Sequence, residues 1–182
     1  MITLKKIILV LLLLFTFGCM NNNTASDAVK DYLNSYNNLD TKVLDDLETE
    51  VTKENLTLEQ SDKYRSILKK QYKDLSYKII KEEKEDDITL VTTKISVYDL
   101  YKAQSDASLY LADNMNEFYD ENGKYNSDKY LDYKLEQMKN VTNKVEYTIV
   151  FEVEKEDDKY RVLQPSETDL EKIHGVYSYD IK

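Results

Sequence analysis

Cys19 and His174 are the side chains of this sequence best suited to bind a transition metal or to act as a nucleophile, and each residue type occurs once. A structural zinc site takes four Cys or His ligands, and a catalytic one takes three protein ligands. The single cysteine also excludes an intramolecular disulfide. The sequence therefore predicts neither a metal centre nor a cofactor. His174, beside Gly175, is interpreted as a residue at a helix C-terminus, where the helix dipole favours the positive form of the imidazole.

The remaining chemistry-bearing patterns are weak. The chain has no Gly-x-Ser-x-Gly elbow, and its three glycines argue against a phosphate-binding loop. A calcium loop of the EF-hand type with Gly123 at its sixth position would begin at Phe118, which offers no oxygen ligand. The acidic runs at 85–87 and 156–158 are interpreted as solvated turns. We therefore predict no catalytic residue.

Cys19 gains significance from the segment that precedes it. Lys5 and Lys6 are followed by an apolar run from Ile7 to Phe17. A basic start, a short apolar stretch and small residues before a cleavage point are typical of a secretory signal peptide. The run is shorter than the ~20 residues that a membrane-spanning helix needs.

Gly18 and Cys19, at the end of this run, resemble the lipobox of bacterial lipoproteins. The resemblance implies that the Cys19 thiol carries diacylglycerol and that the chain is cut between Gly18 and Cys19. The protein would then be anchored by lipid on the extracytoplasmic face of the cell membrane. An uncleaved N-terminal anchor, or a plain signal peptide with an incidental cysteine, are the alternatives. The scarcity of Gly and Pro beside abundant Lys, Asn and Tyr indicates an AT-rich genome and a Gram-positive host.

The charge of the chain limits its partners. Removal of residues 1–18 takes away two lysines and no acid, so the net charge changes from −10 to −12. A surface this acidic disfavours nucleic acid, whose binding depends on Lys and Arg contacts with phosphates. It also opposes close contact with anionic lipid. The membrane, reached through Cys19, and a protein or small-molecule ligand are the partners that we expect.

The rest of the chain predicts one domain. Residues 19–26 are polar and indicate a short tether, and residues 27–182 are long enough for a single core. Ser26 or Asp27 is the predicted N-cap of the first helix. A second helix is predicted after Asp40 or Thr41, and a third over residues 58–72.

The hydrophobic pattern then changes to a period of two residues, which predicts two β-hairpins. The first spans Tyr77 to Val97 and turns at 85–87, and the second spans Val145 to Gln164 and turns at 156–158. Between them, a helical insert covers about residues 100–140. Its first helix is predicted over 100–121 with Asn122-Gly123 at its C-terminus, and its second helix is predicted to be capped by Ser127. Pro165 ends the last strand, and Ser166 starts a short C-terminal helix that ends near Gly175.

This order of elements resembles the nuclear transport factor 2-like or cystatin-like α+β roll. The segment 27–33 is similar to the opening motif of many small lipoproteins of that kind. The resemblance implies a curved antiparallel sheet built from two hairpins, packed by the N-terminal helices and completed by the insert and a short C-terminal helix. An all-helical bundle is the alternative, which the strict alternation over 145–153 disfavours.

The lipobox resemblance and the lack of catalytic motifs together predict a cell-surface binding or interaction protein without a catalytic apparatus. A cavity between sheet and helices is the default site. The residues predicted to line it are Val91, Ile95, Val97, Tyr147, Ile149 and Phe151. The alternative is a roll-fold enzyme that uses an Asp or Glu base, for which a buried carboxylate in that cavity is the expected sign. A third alternative, a protein–protein adaptor, predicts an exposed apolar or tyrosine-rich patch on the insert.

Overall fold

A computed structural model describes residues 24–179, so the predicted signal peptide, Gly18 and Cys19 lie outside the described residues. The fold is α+β, as predicted. Its helices are α1 (Ala25–Asn38), α2 (Thr41–Lys53), α3 (Leu58–Lys73), α4 (Leu100–Asp113), α5 (Ser127–Lys139) and α6 (Glu167–His174). Its strands are β1 (Ser76–Glu85), β2 (Ile88–Tyr98), β3 (Lys144–Glu156) and β4 (Lys159–Val162). Within the described residues, no helix is both long and apolar enough to cross a bilayer.

The four strands form one antiparallel sheet in the order β1-β2-β3-β4. Both predicted hairpins are present, and β2 joins them by pairing with β3 from Ile88↔Glu154 to Tyr98↔Lys144. The acidic turns close the hairpins as predicted. Asp86, Asp157 and Asp158 all have positive φ, a conformation that Asp tolerates better than most residues.

One face of the sheet is buried against the helices. On β2, every second residue from Thr89 to Val97 is buried, and on β3 the buried residues are Ile149, Phe151 and Val153. Helix α1 contacts all four strands, and α3 packs beside it. The buried side of α1 contains Val29, Leu33 and Tyr36, the spacing that the sequence predicted. Because both strands place their apolar residues on the same face, one core lies between the sheet and the helices.

The first helix begins earlier than predicted. Thr24, not Ser26 or Asp27, is its N-cap, since the Thr24 hydroxyl accepts the Asp27 N–H at 3.1 Å. Ala25 is fully buried in the first turn. Residues 25 and 26, predicted to belong to the tether, are therefore part of the fold.

The insert also differs from its prediction. Helix α4 ends at Asp113, and a 3₁₀ turn, Met115–Phe118, follows. This turn buries Phe118 against the rings of Tyr110, Tyr130 and Tyr133, which a straight helix through residue 121 would not do.

A small loop then connects the 3₁₀ turn to α5. Asn122-Gly123 lies at the tip of this loop, which a Tyr119↔Tyr125 bridge closes, so it does not end a helix. Helix α5 is capped by Asn126 and not by Ser127, because the Asn126 side chain accepts the N–H groups of Asp128 and Lys129.

A buried glutamine connects the end of the sheet to two helices. The Gln71 side chain on α3 accepts the Tyr98 N–H at 2.9 Å and donates to the carbonyl oxygens of Tyr98 and Ile173. Gly175, the C-cap of α6, has a φ of +75°. It lies against the Gln71 side chain and the Tyr98 carbonyl. A Cβ atom there would lie 2.3 Å from both the Gln71 Nε2 and the Tyr98 carbonyl oxygen.

We expect Gly175→Ala to destabilise the fold by about 3 kcal/mol or more, because left-handed strain adds to overpacking against a backbone carbonyl. Gly123→Ala is the matched control, since Gly123 has a similar φ of +72° and open space around its Cα. The control should lose only about 1 kcal/mol. Urea unfolding measures both values, and equal losses would contradict the packing argument.

His174 is not the charged C-terminal residue that the sequence predicted. It is buried, and its Nδ1 lies 2.8 Å from the Tyr72 hydroxyl. Burial lowers the His174 pKa to about 4, so the imidazole is neutral at neutral pH. Desolvation of the charged form outweighs the helix dipole because little water reaches the ring.

The His174 pKa makes stability depend on pH. The pKa is lower in the folded than in the unfolded chain, so the unfolded chain binds the extra proton first as pH falls below about 6.5. This residue should therefore lower the free energy of unfolding by up to about 3 kcal/mol between pH 7 and pH 4. His174→Asn keeps a polar atom near Tyr72 but does not titrate. In urea unfolding across this range, the variant should lose less stability than the wild type, and parallel curves would contradict the assignment.

Candidate functional site

A buried carboxylate lies at the end of the sheet where β2 passes into α4. Asp99 caps α4, its Oδ1 accepting the Lys102 N–H at 3.0 Å. The Asp99 backbone N–H donates to the Asn143 carbonyl just before β3. Asp99 is 8% exposed and is the only buried acidic residue among residues 24–179.

The segment that follows α6 covers this carboxylate. The Tyr101 N–H donates to the Gly175 carbonyl at 2.8 Å, which holds the segment against α4. The Tyr179 hydroxyl then donates to the Asp99 Oδ2 at 2.6 Å, and the Tyr179 ring packs on Tyr101. Desolvation, together with the hydrogen bond to Asp99, raises the pKa of Tyr179 to about 12. Both oxygens of the carboxylate are thus held by fixed donors.

Two hydroxyl groups on the inner face of the sheet lack a hydrogen-bond partner among the described residues. They belong to Thr93 on β2 and Tyr147 on β3. The Tyr147 ring packs edge-on against Tyr177, and burial, followed by the negative charge of Asp99, raises the Tyr147 pKa. A buried hydroxyl without a partner costs about 1–3 kcal/mol, and such groups call for an explanation.

A polar cleft opens beside Asp99, between the start of α4 and the end of α5. Its volume is about 240 Å³. Its walls carry carboxylate, ammonium, amide and hydroxyl groups, with two small apolar residues. The lining residues are Asp99, Lys102, Ala103, Asp106, Gln137, Asn140, Val141, Thr142 and Asn143. We call this the Asp99 cleft.

The Asp99 cleft and the start of the fold lie at different ends of the sheet. The Ser26 N–H and hydroxyl both donate to the Glu82 carboxylate, and Glu82 pairs with Val91. Asp99 follows Val91 by eight residues, a distance of about 26 Å along an extended strand. The chain therefore enters the fold far from the cleft.

The six residues predicted to line a sheet–helix cavity have mixed positions. Val91, Ile95, Val97, Ile149 and Phe151 are buried in the hydrophobic core, with at most 2% exposure. Only Tyr147, which is half-buried, extends toward the polar end of the sheet near Asp99. None of these six predicted residues lines the Asp99 cleft.

Sequence reasoning missed Asp99, although a signal for it existed. An aspartate between a strand and an apolar helix start is an N-cap pattern. Nothing local in the sequence indicated that the cap would be buried, because Tyr179 reaches it from 80 residues further along the chain. The Gln71 contact was missed for the same reason.

The tyrosines of the insert mainly pack together. Tyr110 stacks on Tyr133 at 4.9 Å, and both surround Phe118. The exposed large apolar residues of the insert are Leu109 (64% exposed), Met115 and Tyr125. They are separated by acidic residues, among them Asp113 and Glu117, which are exposed.

Among residues 24–179, no group of three or more His, Cys, Asp or Glu side chains is arranged to hold a metal ion. Comparison of the chain with protein-family models, with curated proteins and with solved structures gives no match.

Proposed function

We propose that this chain is a lipid-anchored binding protein of the extracytoplasmic face of a Gram-positive cell membrane, and that its α+β domain is a roll of the nuclear transport factor 2-like type. Cys19 at the end of the apolar run supports the anchor. The Asp99 cleft supports the binding role, and it is the observation that carries the proposal. The cleft lies about 26 Å from the point where the chain enters the fold, so the anchor would leave it accessible.

The walls of the cleft favour a small, uncharged, polar ligand. The amides of Gln137, Asn140 and Asn143 and the hydroxyl of Thr142 supply both donors and acceptors. The single ammonium in the wall, Lys102, is paired with Asp106 at 2.8 Å. A molecule rich in hydroxyl or amide groups would satisfy these walls without burying an unpaired charge.

Asp99 is also the residue that the alternative, an enzyme with a carboxylate base, would use. Its hydrogen bonds argue for binding instead. The Lys102 N–H and the Tyr179 hydroxyl donate to its two oxygens and cover the side chain. A general base must reach the proton that it removes, and Asp99 is covered by its own donors.

The anchor predicts covalent lipid on Cys19. Radiolabelled palmitate fed to cells that express the full chain should label the wild type and not Cys19→Ser. Met20→Ser is the matched control, because it changes the neighbouring residue and keeps the thiol. Equal labelling of the wild type and Cys19→Ser would contradict the anchor.

The binding role predicts a ligand-dependent shift in melting temperature. The probes are N-acetylglucosamine, glucose and acetamide at millimolar concentration, which present hydroxyl groups, amide groups or both. At least one should raise the melting temperature of the wild type, because a ligand that binds only the folded state stabilises it.

Two variants test whether the ligand that shifts the melting temperature binds in the Asp99 cleft. Gln137→Ala with Thr142→Val removes two polar groups from the Asp99 cleft and should abolish the shift. Gln164→Ala, in a separate surface cleft, is the control and should retain it. No shift with any probe, or the same shift in the cleft variant, would contradict the binding role.

A further inference from the structure

The loop at the tip of the insert contains a pair of residues that can react with each other. Of the three glycines in the chain, Gly123 alone follows an asparagine, Asn122. Both residues are exposed, and a Cβ atom at Gly123 would meet nothing within 4 Å. Because glycine has no side chain, its backbone can approach the preceding side-chain amide more closely than that of any other residue.

We propose that Asn122 is a site of spontaneous deamidation in the folded protein. The Gly123 backbone nitrogen attacks the Asn122 Cγ, and the bond from Cγ to the side-chain nitrogen breaks. The Gly123 nitrogen loses its proton and ammonia leaves, so the two residues share a five-membered succinimide ring. One water molecule then opens the ring at either of its carbonyl groups. The products are aspartate and isoaspartate at position 122, and each carries one more negative charge than asparagine.

The contacts at the tip of the loop permit this attack at a small cost. A Tyr119↔Tyr125 bridge closes the base of the loop. At the tip, the Gly123 N–H donates to the Asp120 carbonyl at 3.0 Å, and the Asn122 N–H donates to the Asp120 side chain at 2.8 Å. The first of these bonds must open to free the Gly123 nitrogen. An exposed hydrogen bond contributes only about 0.5–1.5 kcal/mol, because water replaces the lost partner.

The fold protects the two asparagines that precede serine, the next smallest obstacle to attack. Asn34, before Ser35, lies inside α1, and its side-chain oxygen accepts the Tyr77 hydroxyl at 2.8 Å. Attack there would break helical hydrogen bonds. Asn126, before Ser127, is the N-cap of α5, and its side-chain oxygen accepts two backbone N–H groups. Attack there would remove the cap, which costs about 0.5–2 kcal/mol.

The modification changes the loop permanently. The new carboxylate at position 122 lies next to the acidic residues Asp120 and Glu121 in the sequence. In isoaspartate the backbone runs through the former side chain, which adds one atom to the main chain before Gly123. The hydrogen bond from Gly123 to Asp120 cannot then re-form with its present geometry. The reaction depends neither on the anchor nor on the Asp99 cleft.

Peptide mapping by mass spectrometry, after incubation of the full chain in a mild detergent at mildly alkaline pH, tests the proposal. Asn122 should convert at least tenfold faster than Asn34 and Asn126, and isoaspartate should form at position 122. Gly123→Ala should slow this conversion at least tenfold, because its methyl group obstructs the approach of the nitrogen. Asn122→Gln, which keeps an amide but would need a six-membered ring, should stay unmodified. Circular dichroism melting checks that each variant is folded.

The same incubation in guanidinium chloride separates the effect of the fold from that of the sequence. Unfolding should accelerate conversion of Asn34 and Asn126 at least tenfold, and conversion of Asn122 by less. Survival of Asn122 for as long as Asn34 and Asn126 in the folded chain overturns the site. Formation of aspartate without isoaspartate overturns attack by the Gly123 nitrogen, since direct hydrolysis gives aspartate alone. Equal acceleration of all three residues on unfolding overturns the role of the open loop tip.

Discussion

The pairing of β2 with β3 is the interaction on which the rest of this structure depends. It joins two hairpins that are separated by about 45 residues of chain, and it places the apolar residues of both strands on one face. Helices α1 and α3 bury that face, and α6 adds Ile173 to the same core. A slip of one residue in this register would turn the buried residues of β3 toward solvent. The strict alternation of both strands is what prevents the slip.

The polar contacts of the domain concentrate at one end of the sheet. Gln71 satisfies the backbone of Tyr98 and Ile173, and Asp99 satisfies the start of α4. Both side chains are buried because the segment after α6 folds back over them. Buried polar groups of this kind are stable only when their partners are fixed, and both Gln71 and Asp99 have such partners. Among residues 24–179, the buried hydroxyls of Thr93, in the middle of β2, and of Tyr147 lack a hydrogen-bond partner.

This arrangement connects the fold to the proposed role. The polar end of the sheet lies beside a cleft whose walls carry amide and hydroxyl groups, which can recognise a polar ligand. The hydrophobic core occupies the centre of the sheet, where the sequence predicted a cavity wall, and it leaves the polar walls to the junction of β2, α4 and α5. The proposed binding role therefore depends on a junction between elements and not on the sheet face.

The sequence by itself determined the elements and their faces. The two-residue period defined both hairpins, the apolar spacing of α1 defined its buried side, and Ser166 and Gly175 marked both ends of α6. These features depend on neighbours within a few residues, so short stretches of the sequence are enough to predict them. The lipidation pattern at Cys19 is equally local and stays a prediction.

Only the tertiary structure decided the length of α4, the state of His174 and the position of Asp99. Phe118 turns inward because rings from two helices meet there, and His174 is neutral because α3 and α6 together exclude water from it. The Asp99 carboxylate is buried by a tyrosine 80 residues away. Burial and desolvation arise from residues distant in the chain, and a local pattern carries no information about which distant residues will meet.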